Sequence, residues 1–312
     1  MVKVYSRKER ALELLGLFDL IADEYLRSEV EEAVTLQSEM VPLLIGHLED
    51  VVADPDDYIL SDGFAHNYAL ALLSHFRETS AHSLLIKSFS LSGKQVDALW
   101  GELLTDGLSV ALYCTSGGDF TALKELVLNK EADPFVRGTA LESFVLAVSE
   151  GVLSRAEALS FFATLLADGS LAPAENYFWA ALVSELAALH PAEYIQQIRE
   201  LYGKGLVSTY DIPLEDIERI AAEDRDKRLA RLSHQFAERV PKDIHSYISW
   251  FECFAKKDFD WEEDDDYFSE DILSDMDHSS SDALHHTSLN NKKVKARKQR
   301  KLAKKSKKKN RK

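Results

Sequence analysis

The residues of this chain whose types could do chemistry are a histidine series, two cysteines, one glycine–lysine pair and a long basic run. His66, His75 and His82 offer metal-ligand nitrogens at gaps of nine and seven. The first gap does not keep one face of a helix, so ordinary interior or surface histidines are the simpler reading. His285-His286 lies in a Ser-rich stretch without thiols at ligand spacing. Ser92-Gly93-Lys94-Gln95 looks like part of a phosphate loop, yet that loop needs Gly where Ser88 stands and Ser or Thr where Gln95 stands. Read as a capping box ahead of Val96, Leu99 and Trp100, the same four residues are fully explained. Gly203-Lys204-Gly205 lacks a third glycine and a preceding strand, and reads as a loop. Cys114 and Cys253 are lone thiols, the second among Trp250, Phe251 and Phe254, as a core residue would be. No paired-carboxylate pattern stands out from fifty-three acids. No catalytic, metal or cofactor site is therefore assigned, and the chain is read as not an enzyme.

The basic run is the strongest signal. Lys292, Lys293, Lys295, Arg297, Lys298, Arg300, Lys301, Lys304, Lys305, Lys307, Lys308, Lys309, Arg311 and Lys312 fall in twenty-one residues that contain no acid. With those fourteen charges set aside, a chain of total charge −16 carries about −30 on residues 1–291. Like charges at this density stay solvated and extended. Such a run can hold the backbone phosphates of RNA or DNA, but without aromatic rings it cannot stack bases, so it would add affinity without sequence choice. A solubility tail, contact with anionic lipid and a nuclear-import address are the other readings. Ahead of it, residues 258–277 place eleven acids among Phe259, Trp261, Tyr267 and Phe268. That segment reads either as a solvated linker or as a docking segment whose aromatic anchors seat in a groove on a partner.

These features must be carried by a folded body, and its elements are legible. Ala65, Tyr68, Ala69, Leu72, Leu73 and Phe76 follow one helix face, as do Val136, Ala140, Leu141, Phe144, Val145 and Val148. The stripe recurs in Ala158, Leu159, Phe162, Leu165 and Leu166, and in Trp179, Leu182, Val183, Leu186 and Leu189. Ser154-Arg155-Ala156-Glu157 predicts a capping box, and Asp133-Pro134 an N-cap followed by a first-turn proline. Gly151, Gly169 and Gly203 stand where left-handed C-caps are expected. Period-two alternation is essentially missing. The expected class is all-α.

Small-plus-apolar patches near Ala69, Ala140 and Ala180 lie about two units and one unit of roughly 35–40 residues apart, a two-helix repeat length. The segment from Asp133 to Leu141 resembles the second helix of a HEAT repeat, in which an acid caps the helix and an Arg, here Arg137, packs against a neighbouring repeat. The expected architecture is a HEAT-like α-solenoid of antiparallel helix pairs over residues 1–256. A disordered acidic, then Ser/His-rich linker is expected over 257–291, and a disordered polybasic tail over 292–312. A compact bundle is the alternative.

The order of segments Glu32-Ala33-Val34, Met40-Val41-Pro42-Leu43-Leu44, Asn67 to Arg77, Trp100 to Asp106 and Asp133 to Leu141 is similar to the bacterial domain-of-unknown-function family 1186, over about residues 30–222. The resemblance implies a HEAT-like helical domain with no assigned activity. Many members of that family carry a Cys-rich, zinc-binding SEC-C motif at the C-terminal end. No cysteine follows Cys253 in this chain, so a zinc role is not carried over.

Two distant cysteines exclude a disulfide framework and suggest a reducing compartment. Glu13, Asp19, Asp23 and Glu24 break any apolar run after the basic N-terminus, and no stretch approaches the roughly 18 apolar residues of a membrane span. A cytoplasmic location follows as the expectation. The functional expectation is an interaction module, a helical scaffold that binds a protein partner of unknown identity and is attached electrostatically by its tail. The alternatives are an RNA-associated factor that works through the tail, and an enzyme with an unrecognised site.

Overall fold

A computed structural model describes residues 5–20, 25–61, 63–168, 176–209, 212–237, 239–240, 242–248 and 251. The chain divides into units Met1–Lys256 and Lys257–Lys312, and all described residues belong to the first. The described residues are all-α, with seventeen α-helices, two short 3-10 turns and no strand among them. In chain order the helices are α1 (Arg7–Asp19), α2 (Arg27–Thr35), α3 (Gln37–Ala53), α4 (Pro55–Ser61), α5 (Ala65–His75) and α6 (His82–Phe89). Then come α7 (Gly93–Trp100), α8 (Leu103–Asp106), α9 (Leu108–Thr115), α10 (Thr121–Leu128), α11 (Pro134–Ser149) and α12 (Arg155–Ala167). The last are α13 (Asn176–Ala188), α14 (Ile195–Gly203), α15 (Leu214–Ala221), α16 (Arg225–Ala237) and α17 (Ile244–Ile248). Among the described residues no helix is long and apolar enough to cross a membrane.

The predicted caps set the helix starts. In α12, Glu157 N–H donates to Ser154 Oγ at 3.2 Å and Ser154 N–H donates back to Glu157 Oε2 at 3.1 Å. Phe135 N–H donates to Asp133 Oδ1 at 2.8 Å, and Pro134 occupies the first turn of α11. Ser92 N–H donates to Gln95 Oε1 at 3.3 Å at the start of α7, so this segment caps a helix. Gly93 also faces a carboxylate, because a Cβ there would lie 2.8 Å from Asp133 Oδ2. An acid in that place would repel phosphate.

At the C-termini one expectation needs correction. Gly151 adopts φ +72° and closes α11 as predicted, with Val152 N–H donating to Ala147 O at 2.9 Å. Gly203 instead remains helical, and the left-handed residue is Gly205 at φ +69°. Lys204 extends the turn, and Leu206 N–H closes it on Leu201 O at 3.0 Å. The expectation named Gly203 alone; the hydrogen-bond register places the left-handed residue two positions further on, at Gly205. Gly169 lies outside the described residues.

The apolar stripes are buried as expected, but three helices are buried on far more than one face. Every residue of α9 and nearly every residue of α5 is inaccessible, and in α11 the same holds for most positions from Val136 to Ala147. A helix enclosed all round lies inside the core and does not merely cover it. The packing is ordered along the chain: α1 on α3, α3 on α5, α5 on α9, α9 on α11 and α11 on α13. Helices α10 and α12 pack against α11, while α15 and α16 pack against α13. The fully buried Arg137 ties three of these together. Its Nε donates to Val127 O in α10 at 2.9 Å, and its guanidinium lies 4.4 Å from the ring centre of Phe178 in α13.

Candidate functional site

The seam between α11 and α13 is built from small residues. At Gly138 a Cβ would lie 2.8 Å from Tyr177 Cε1 and 3.0 Å from Ala181 Cβ, so only glycine lets the two helices approach this closely. Beside this seam opens a cleft of about 610 Å³. Its walls come from Thr105 on α8, from Thr139 and Glu142 on α11, from Tyr177, Ser184 and Glu185 on α13, and from Arg239 just after α16. Tyr177 is steadied by Phe135, whose ring stacks on it at 3.7 Å and is itself well exposed.

The polar groups of the cleft stand in different states. Glu142 is anchored: Ser109 Oγ donates to it at 2.7 Å, and Arg239 forms an ion pair with it. Ser109 is held in turn by Ser143, whose hydroxyl donates to its carbonyl at 2.8 Å. Glu185, half-buried, meets no cation among the described residues. Desolvation pushes its carboxyl up to about 8, so it holds its proton near neutrality. Thr139, only 7% exposed, carries a hydroxyl with no hydrogen-bond partner among the described residues. Unmade hydrogen bonds on buried groups destabilise a fold, and where they line a cavity they mark a place that a ligand can complete.

The candidates drawn from sequence lie elsewhere. His66 Nε2 donates to Leu99 O at 2.6 Å, which leaves Nδ1 to face the Tyr58 hydroxyl at 3.1 Å. Burial holds this imidazole down at about 4, and it stays neutral. His82 Nδ1 sits 3.0 Å from Thr115 Oγ1, and His75 rests against Phe76. The three are not brought together. Among the described residues, no group of three or more His, Cys, Asp or Glu is placed to hold a metal. Burial raises the Cys114 thiol to about 11, so it is no ready thiolate. The basic run from Lys292 to Lys312, the aromatic anchors Phe259, Trp261, Tyr267 and Phe268, and Cys253 all lie outside the described residues.

Comparison with known proteins decides the family. The model of the family described as "Protein of unknown function (DUF1186)" matches residues 13–255. The chain belongs to this family. The match runs beyond the segment that carried the resemblance, at both ends. An "Uncharacterized protein" of Chlamydia trachomatis serovar D is 33% identical over 241 residues, covering 76% of this chain and 95% of its own length. A second, from Chlamydia muridarum, is 30% identical over 241 residues and covers 76% of this chain and 96% of its own. No solved structure matches the chain.

Every described residue that lines the cleft, from Thr105 to Arg239, falls within the DUF1186 match. Sequence reasoning missed Thr139, Glu142, Glu185 and Arg239, because carboxylates 43 positions apart show no local pattern. A signal was nevertheless present. If Ala140 and Ala180 are equivalent positions of successive units, Glu142 corresponds to Leu182 and Glu185 stands one turn further on. In the structure both acids of this DUF1186 chain line the same cleft.

Proposed function

We propose that this chain is a non-enzymatic, cytoplasmic interaction module. In this reading a HEAT-like series of helix pairs engages a protein partner through the α8–α11–α13 cleft. The basic run over residues 292–312 adds electrostatic attachment to phosphate. The observation that carries the reading is the state of the cleft, where the Glu185 carboxyl and the Thr139 hydroxyl have no partner among the described residues. The serial packing of α3, α5, α9, α11 and α13 supports it, because stacked repeats present extended surfaces to other macromolecules.

Affinity capture with the full chain at low and high salt tests the reading. A second bait carries glutamine at all fourteen tail bases. The module reading predicts a protein retained by both baits at high salt, and its loss when Thr139 and Glu185 are replaced. Capture of RNA alone, released by salt and lost with the tail charges, would overturn it in favour of an RNA-associated factor. In that case each phosphate engaged on a single strand should add about −0.7 to the slope of log affinity against log salt.

A further inference from the structure

We infer that the cleft beside the α11–α13 seam receives a primary alkylammonium group, the end of a lysine side chain on the partner, held by the Glu185 carboxylate and the Thr139 hydroxyl. This inference rests on the module reading and names the chemistry of its contact.

The sign of the ligand follows from which charges are engaged. Arg239 is paired with Glu142, and Glu142 is also fixed by Ser109. Glu185 is then the acid that faces the open volume without a counter-charge among the described residues. Thr139 lines the same volume and is more than nine-tenths buried, and its hydroxyl, without a partner among the described residues, has lone pairs to accept an N–H. Its oxygen and the Glu185 carboxyl come from different helices. Separated acceptors suit the compact, three-donor ammonium better than the planar fork of a guanidinium. Tyr177, Ala180, Ala181 and Ile212 supply apolar wall for the four-methylene stem.

Binding has a proton balance. Among the described residues, the titratable side chains that line the cleft with Glu185 are Glu142 on α11, Tyr177 on its own helix and Arg239 after α16. Thr105 on α8 and Ile212 ahead of α15 add uncharged wall. Near neutrality the empty site holds a neutral Glu185. An arriving ammonium keeps its protons, the carboxyl releases its own to solvent, and an ion pair remains.

The test is calorimetry on the full chain at fixed salt with Nα-acetyl-lysine methylamide, and with the same compound acetylated on its Nε. The lysine compound should bind, and the neutral one should bind at least about tenfold more weakly, a difference of about 1.4 kcal/mol. Affinity should rise about tenfold from pH 6 to pH 7 and level off above the Glu185 value of about 8. Glu185→Gln should remove both the tenfold advantage and the pH dependence. That variant keeps the shape and neutrality of the resting acid, so its fold should be intact. Thr139→Val, which leaves the carboxyl in place, should weaken binding while preserving the pH dependence. Equal binding of the two compounds, or undiminished binding by Glu185→Gln, would overturn the inference. The assay contains no macromolecule, so its failure is separate from failure of the capture experiment.

Discussion

The guanidinium of Arg137 lies 4.4 Å from the centre of the Phe178 ring while its Nε donates to the Val127 carbonyl at 2.9 Å. One fully buried side chain thus joins α10, α11 and α13. Lysine keeps the charge but has no planar fork to serve a ring face and a carbonyl together. Arg137→Lys should therefore lower stability by about 1.5–3 kcal/mol, the scale of a lost hydrogen bond to a charged group. Urea unfolding of the two proteins checks this, and an unchanged midpoint would contradict it.

Gly138 inverts an ordinary helix rule. Replacing a mid-helix glycine by alanine normally stabilises by about 1 kcal/mol. Here the new methyl would lie 2.8 Å from Tyr177 Cε1 and 3.0 Å from Ala181 Cβ, and the Tyr177 ring is braced by Phe135. Gly138→Ala should destabilise by about 1–3 kcal/mol, the usual cost of overpacking. Thermal unfolding gives the sign directly, and a rise in melting temperature would show that the seam can yield.

Glu185 gives the fold a pH dependence of known sign. Below the ordinary carboxylate value of 4.5 the group is protonated in both folded and unfolded chains and contributes no difference. As pH rises toward about 8 the unfolded chain has released this proton while the folded chain still holds it, so stability is lost across that window. Glu185→Gln removes the titration. The variant should match the natural protein near pH 4 and exceed it in stability at pH 8 to 9. Parallel stability curves for the two proteins across this range would contradict the burial argument.

Much of the fold was legible because the local signals agreed with the global packing. The Ser154–Glu157 box and the Asp133 cap sit where their sequence patterns require, and the stripe from Ala65 through Leu73 is buried throughout. What the stripes could not reveal is that α5, α9 and α11 are enclosed nearly all round, since a one-sided pattern cannot report what covers the other side. The cleft was hidden for a related reason. Thr139 looks like any helical threonine, and only the folded chain shows it buried, without a partner among the described residues, in a cleft shared with α13 and Arg239. Glu185 resembles the many surface acids until burial raises its affinity for a proton.

The central claim is that the cleft is where a partner is engaged, and site-specific photo-crosslinking tests it most directly. Ser184 is exposed and lines the cleft, whereas Leu12 is 59% exposed on α1 and does not line it. A photoreactive residue at Ser184 of the full chain should crosslink the salt-stable partner, and the same residue at Leu12 should not. Crosslinking from Leu12 with none from Ser184 would place the contact elsewhere and contradict the account.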